Sequence, residues 1–209
     1  METLSIVFSR EKTKAAVILV IFAILAYSPI IFLDQSYHQL SVIPISEADG
    51  KNVLFPTTSD LYGIFQATKP ELKFAIDSIS HGEFPFWNPY VGVGQPLAAD
   101  TTQNLFSPIA PSYFLPVEFW DVVILFTIWL AGFFTFLFLR SLGLTFESAI
   151  MGSIIYMFSG AFSWFAHSPH LSVILFTPLI LFSIEKIIQN KNPKFIVLGA
   201  VSLACGILG

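Results

Sequence analysis

The chain has 209 residues, of which 55% are hydrophobic and only 11% are charged, and its mean hydropathy is +0.74. A typical globular domain carries roughly 25% charged residues, so this composition excludes a water-soluble protein and requires a lipid bilayer as partner. The formal net charge of −4 excludes a nucleic-acid-binding domain, and a single cysteine, Cys205, excludes a disulfide scaffold.

Five apolar runs predict an all-α membrane protein with about five transmembrane helices. The first run, 15–33, follows a short N-terminal stretch at 1–14, and at roughly 1.5 Å per residue it reaches close to the ~30 Å hydrocarbon core. No small-residue cleavage site follows it, so we interpret it as a retained helix and not as a signal peptide. The other four runs lie within 119–209, and the last is about 22 Å long, so we expect it to be truncated. These four are 119–139, 149–165, 171–188 and 195–209.

Helix boundaries are marked by capping and breaking residues. Thr145, with Glu147 in the first turn, is predicted to cap the third run. Ser168 and Asn192, each followed by proline, are predicted to cap the fourth and fifth. Pro178 is expected to kink the fourth run.

Lysine and arginine in short loops predict the orientation, because they favour the cytoplasmic side. Five alternating spans with a cytoplasmic N-terminus place every basic residue of these loops inside, and place 34–118 and 166–170 on the outer face of the cell membrane. We interpret Glu185 as an interfacial ion pair with Lys186. The inner basic residues are Arg10, Lys12, Lys14, Arg140, Lys186, Lys191 and Lys194.

The outer segment 34–118 is acidic and begins with an irregular part. Apolar residues between 61 and 79 then recur at helical spacing, which predicts amphipathic helices lying on the membrane surface. The string 68–71 matches a capping box, which predicts that this pattern is divided into two helices. Gly82 is predicted to end the second helix.

An aromatic string rich in proline and glycine follows at 83–97. Its composition forbids a regular helix. Because Phe86, Trp87 and Tyr90 are costly to leave in water, we expect either an ordered loop packed on the helix bundle or an interfacial anchor.

Short strings along the chain carry a resemblance to a known family. They are Ser59-Asp60-Leu61-Tyr62, Gly82-Glu83-Phe84-Pro85-Phe86-Trp87-Asn88-Pro89-Tyr90, Gly94-Gln95-Pro96-Leu97, Phe106-Ser107-Pro108, Arg140-Ser141-Leu142-Gly143, Tyr156-Met157-Phe158-Ser159-Gly160 and Pro178-Leu179. In these strings the chain resembles the YfhO-like group of bacterial multi-pass membrane proteins. The resemblance covers most of 15–190 and implies a GT-C-type glycosyltransferase fold that uses polyprenyl-phosphate-linked sugars. Members of that group are much longer, so the chain is expected to be an N-terminal portion.

The resemblance implies an acidic residue in the first outer loop, acting as base on the acceptor hydroxyl or holding a divalent metal. Asp60 is the first candidate, because a hydroxyl that attacks an anomeric carbon must lose a proton. Helix capping is its structural alternative, and Asp34 is its competitor. Asp100 is predicted to hold a metal, bind a sugar hydroxyl or assist Asp60, with an N-cap role as the alternative. Glu83 is a further binding candidate or a solvated residue.

Four more residues suit substrate binding. Trp87 offers an aromatic face for sugar C–H groups and Asn88 an amide for hydroxyls, with a structural loop as the alternative for both. His167 and His170, predicted on the same face as Asp60, suit a lipid-linked phosphate or a metal, with a plain interfacial role as the alternative. Two histidines without a third ligand are a weak metal signal.

The leading hypothesis is therefore a membrane glycosyltransferase, or a part of one, that moves a sugar to an envelope glycan or lipid acceptor on the outer face. A transporter or flippase module would need charged residues within the spans and internal symmetry. The predicted spans hold no charged residue away from their ends, and no repeat is visible. A non-catalytic membrane scaffold or an inactive fragment is the third hypothesis.

Overall fold

The computed structural model describes residues 2–28, 69–98, 105–109, 114–115, 119–165 and 171–208. Within these ranges the regular structure is helical, apart from one isolated antiparallel bridge. The helices are α1 (Glu2–Ala26), α2 (Lys69–Ser80), α3 (Trp120–Ser141), α4 (Phe146–Met157), α5 (Gly160–Phe165), α6 (Leu171–Asn190) and α7 (Pro193–Leu208).

Two of the described helices are long and apolar enough to cross a membrane. They are Val122–Ser141 in α3, with 20 residues, and Leu171–Gln189 in α6, with 19 residues. At 1.5 Å per residue each approaches the ~30 Å hydrocarbon core. The predicted all-helical class is confirmed by the element order, whereas the number of five membrane spans remains a prediction. Two shorter stretches are also apolar: Phe146–Phe162, which covers α4 and the start of α5, and Pro193–Ile207 in α7. The end of the predicted first span, 29–33, lies outside the described residues.

Helix α3 is at the centre of the bundle and packs against α1, α4 and α6, and α6 in turn packs against α7. Ile128 and Phe136 of α3 are fully buried, as is Met157 of α4. Gly132 allows this close packing, because a side chain there would collide with Met157. Toward α1, the Trp129 indole Nε1–H donates to the Ala16 carbonyl over 3.1 Å.

Two predicted helix caps are confirmed. The Thr145 hydroxyl accepts a hydrogen bond from the Ser148 N–H over 3.3 Å and so caps α4. The Asn192 Oδ1 accepts from the Lys194 N–H over 3.0 Å at the start of α7. Ser168, the third predicted cap, lies outside the described residues.

The predicted third span is not one continuous helix. Helix α4 ends at Met157 and α5 begins at Gly160. Serine competes for backbone hydrogen bonds and glycine costs backbone entropy, so the string Ser159-Gly160 is a weak point for a helix. The Tyr156 and Phe162 rings cross this break edge to face, with centroids 5.6 Å apart.

Pro178 lies inside α6, as predicted. A proline has no N–H, so the Ile174 carbonyl, four residues earlier, loses its partner within the helix. The Tyr156 hydroxyl donates to that carbonyl over 2.8 Å. The Tyr156 hydroxyl of α4 therefore replaces the N–H that Pro178 cannot supply within α6.

One end of the bundle collects the basic residues, and we name it the basic end. Arg140 Nη2 lies 2.7 Å from Glu11 Oε2, and Arg140 Nη1 donates to the Leu144 carbonyl. The Gln189 amide donates to the Ser141 carbonyl over 2.7 Å. These contacts bring the N-terminal half of α1 together with the C-terminal ends of α3 and α6. The remaining residues predicted inside lie close in sequence to these contacts: Arg10, Lys12, Lys14, Lys186, Lys191 and Lys194.

The prediction of an ion pair between Glu185 and Lys186 is wrong. Gln189 lies between the two side chains, donating to Glu185 Oε1 over 2.7 Å and accepting from Lys186 Nζ over 2.9 Å. Adjacent residues of a helix point in different directions, whereas residues three and four apart are neighbours on its surface.

Candidate functional site in the aromatic loop

Helix α2 leads into the candidate site. It is the second of the two predicted amphipathic helices, and its residues Leu72 and Ala75 are buried, as the helical pattern predicts. Gly82 ends the turn after it, with a φ of 81° and its N–H donating to the Ile79 carbonyl over 2.9 Å. The first predicted helix, before 68, lies outside the described residues.

Residues 83–98 form a closed, ordered loop, which we name the aromatic loop. Asn88 and Gln95 exchange two backbone hydrogen bonds of 2.8 and 2.9 Å. The Leu97 N–H donates to the Phe86 carbonyl over 3.0 Å, and a turn from Val91 to Gly94 closes the far end. The prediction that 83–97 forms no regular helix is confirmed.

Asn88 stabilises the loop from within. Its side chain is 2% exposed, and its Oδ1 accepts the Tyr90 N–H over 3.0 Å. The structure thus places this amide inside the turn, away from the surface that a sugar would approach.

A second polar contact fastens the loop to α2. The Gln95 amide donates to Glu71 Oε1 over 2.6 Å, although Glu71 is only 5% exposed. Sequence reasoning missed this pair. The string Thr68-Lys69-Pro70-Glu71 indicated a capping glutamate, and nothing local pointed to a partner 24 residues away.

Trp87 rests on Gly94 and remains 55% exposed. Gly94 has a φ of 95°, and a Cβ there would lie 2.6 Å from the indole Nε1. Only glycine combines this backbone conformation with so close an approach of the ring. Glu83 is exposed at the start of the loop, and its N–H donates to the Ser78 carbonyl over 3.0 Å. An aromatic face and a carboxylate are therefore presented by one ordered loop.

The aromatic loop is attached at the end of the bundle opposite the basic end. Phe84 stacks on Phe106 with ring centroids 5.8 Å apart. The neighbouring Ser107 hydroxyl lies 3.3 Å from that of Ser172, in the first turn of α6. Because Gln189 lies at the other end of the same helix, the aromatic loop and the basic end are separated by the length of α6.

The other predicted site residues lie outside the described residues: Asp60, Asp100, His167 and His170. Of the predicted site residues, the structure describes Trp87, Asn88 and Glu83, which all belong to the aromatic loop. In the part of the chain that the structure describes, no group of three or more His, Cys, Asp or Glu side chains could hold a metal ion.

Apolar helices of membrane-spanning length, a basic end and an aromatic loop at the opposite end define a helical membrane protein. A family model described as bacterial membrane protein YfhO matches residues 58–205, and the chain belongs to this family. The match contains the aromatic loop and all of helices α2 to α6. No curated protein and no solved structure matches the chain.

Proposed function

We propose that the protein is a GT-C-type membrane glycosyltransferase that moves a sugar from a polyprenyl-phosphate carrier to an envelope glycan or lipid acceptor. The proposal rests on the ordered aromatic loop, in which the Trp87 ring is half-exposed and Glu83, four residues earlier, is exposed. An aromatic face stacks on the C–H groups of a sugar, and a carboxylate accepts hydrogen bonds from its hydroxyls.

The reaction we propose is a displacement at the anomeric carbon. The acceptor oxygen forms the new glycosidic bond, its proton passes to the Asp60 carboxylate, and the bond to the carrier phosphate breaks with the electron pair leaving on the phosphate. Asp100 assists Asp60, and His167 and His170 bind the phosphate. If a divalent cation takes part, the Asp60 and Asp100 carboxylates are the oxygen ligands that would hold it.

The structure changes the role that we propose for Asn88. Its carbonyl oxygen is bound within the turn and its side chain is buried. We therefore assign Asn88 the task of positioning Trp87, and leave the contact with the sugar to Trp87 and Glu83.

The separation of the aromatic loop from the basic end supports the proposed orientation. Clustered lysine and arginine favour the cytoplasmic side. With the basic end inside, the aromatic loop faces outward, where a lipid-linked sugar meets an envelope acceptor.

The test of the chemistry is transfer of a labelled sugar from its polyprenyl-phosphate carrier by membranes that contain the protein. Loss of a general base lowers rates by about 10²–10⁴-fold, so Asp60→Asn should lower transfer by that factor. Asp34→Asn is the matched control, because it removes the competing carboxylate of the same outer segment and should leave transfer near the wild-type rate.

Two results would contradict the proposal at different levels. Equal transfer by wild type and Asp60→Asn would remove Asp60 from the mechanism. Transfer by wild-type membranes no greater than by membranes without the protein would remove the activity itself. Trp87→Ala should raise the KM for the sugar donor more than Trp87→Phe does, because phenylalanine keeps an aromatic face.

A further inference from the structure

The far end of the aromatic loop exposes apolar side chains that the proposed transfer reaction does not use. Tyr90 is 81% exposed and Val93 fully, and Val91, which follows Tyr90, is also exposed. We name these three residues the apex surface. The sequence has no charged residue between Glu83 and Asp100, so this surface carries no charge of its own.

The backbone pairing of the loop determines which side chains of the apex surface are exposed. The paired Asn88 and Gln95 backbones fix the register, and Asn88 and Leu97 turn inward and are buried. The Tyr90 ring packs edge to face on Phe74 of α2, with centroids 5.5 Å apart, while most of its surface stays open. Apolar groups held outward in this way mark a contact surface.

The position of the loop identifies what covers the apex surface. The contacts Phe84–Phe106 and Ser107–Ser172 hold the loop at the first turn of α6, where a helix of membrane-spanning length begins. The chain then continues to Phe119 and Val122 of the α3 region, which are 54% and 59% exposed and also apolar. Apolar side chains are thus exposed both on the loop and at the end of α3 opposite the basic end, in a helix long enough to cross the bilayer.

We propose that the apex surface inserts into the bilayer at the boundary between headgroups and acyl chains, on the side opposite the basic end. Val91 and Val93 supply apolar contact, and Tyr90 has an apolar ring with a polar tip, which suits this boundary. Because the surface is uncharged, its insertion needs no anionic lipid and does not weaken with salt.

The single cysteine of the chain makes the insertion depth measurable. On a Cys205→Ser background, Val93→Cys places a nitroxide label at the apex, and Glu83→Cys places a matched label in the same loop outside it. Both proteins are reconstituted in phosphatidylcholine vesicles, and collisions with oxygen, which concentrates in lipid, are compared with collisions with a water-soluble nickel chelate. The expected oxygen-to-nickel ratio is severalfold higher at position 93 than at 83, and it is the same in high salt and with added anionic lipid.

Two outcomes overturn the proposal. Equal ratios at the two positions would place the apex in water, and a label at 93 shielded from both reagents would show that protein covers it. Tyr90→Cys supplies a second apex position if Val93→Cys does not fold, and unchanged proteolysis identifies the folded variants. Val93 and Tyr90 have no role in the proposed transfer, so this test and the transfer assay fail independently.

Discussion

The helix bundle and the aromatic loop satisfy their buried polar groups in opposite ways. In the bundle, most hydroxyls donate to a carbonyl of their own helix four residues earlier; such residues are Thr127, Thr135, Ser153, Ser183 and Ser202. In the loop, the polar bonds join Asn88 to Gln95 and Gln95 to Glu71. A hydroxyl bound to its own helix carries no information about the neighbouring helix. The Asn88–Gln95 and Gln95–Glu71 bonds, in contrast, each fix two residues that are separated in the sequence, whereas the Asn88–Tyr90 bond of the loop is local.

The two regions therefore depend on different interactions for their ordered structure. The bundle depends on apolar packing and on a few long-range bonds, such as Trp129 to Ala16 and Tyr156 to Ile174. The aromatic loop has little core and depends on a small number of specific contacts. We therefore expect one substitution to disrupt the loop, and single substitutions in the bundle to have graded effects.

The largest effect is expected for Gly94→Ala. Alanine at a φ of 95° strains the backbone, at about 1–3 kcal/mol, and its Cβ would push into the Trp87 ring at the cost of about 1–3 kcal/mol more. The Asn88–Gln95 bridge should open, and amide hydrogen exchange of the Asn88 and Gln95 N–H groups should lose its protection.

Gly92→Ala is the control for this substitution. Gly92 also has a positive φ, 59°, but nothing lies within 4 Å of the added Cβ. Gly92→Ala should therefore strain the loop less than Gly94→Ala does. The Asn88 and Gln95 N–H groups should remain protected from hydrogen exchange. Equal loss of protection in both variants would show that the Trp87 contact contributes nothing.

A smaller effect is expected in the bundle, for Tyr156→Phe. The change removes the hydrogen bond to the Ile174 carbonyl, and side-chain hydrogen bonds between membrane helices contribute about 0.6 kcal/mol on average and up to about 1.7. Reversible unfolding in mixed micelles measures this loss in the free energy of unfolding.

Pro178→Ala tests why that bond exists. Alanine restores an N–H that can reach the Ile174 carbonyl within α6. Tyr156→Phe should therefore lower the free energy of unfolding less in the Pro178→Ala background than in the wild type. An equal loss of unfolding free energy in both backgrounds would contradict the idea that the Tyr156 hydroxyl replaces the N–H missing at Pro178.

The smallest effect is expected at the basic end. Glu11 and Arg140 are partly exposed, so their coupling in a double-mutant cycle of Glu11→Gln and Arg140→Met should be about 0.2–1 kcal/mol and should fall with added salt. Glu147→Gln, an exposed carboxylate on α4, is the control and should show no coupling to Arg140. Coupling as large for Glu147 as for Glu11 would refute a specific pair.

Local chemistry made part of the fold predictable. Thr145 and Asn192 as caps, and Pro178 as an interruption, each act within one turn of their own position, so the sequence contains the whole signal. The apolar runs predicted α3, α6 and α7, because helix formation in lipid follows from length and composition, whereas the third run is divided between α4 and α5.

Long-range pairing was not predictable. Neither the Tyr156 bond across the bundle nor the Glu71–Gln95 bond has a local signature, since each depends on how separate segments meet. The expected Glu185–Lys186 pair was wrong because sequence adjacency was taken for spatial proximity. At the candidate site, sequence reasoning proposed Trp87 and Asn88 as sugar-binding residues, and the structure was needed to show that Asn88 is buried.

The attachment of the aromatic loop through Ser107 and Ser172 has a consequence for the order of assembly. The bonds that close the loop span at most 24 residues, from Glu71 to Gln95, and contacts this local form early. The Ser107–Ser172 contact spans 65 residues and needs α6 in place. During synthesis the loop can therefore fold as a unit before its docking position exists, and the arrival of α6 completes the attachment.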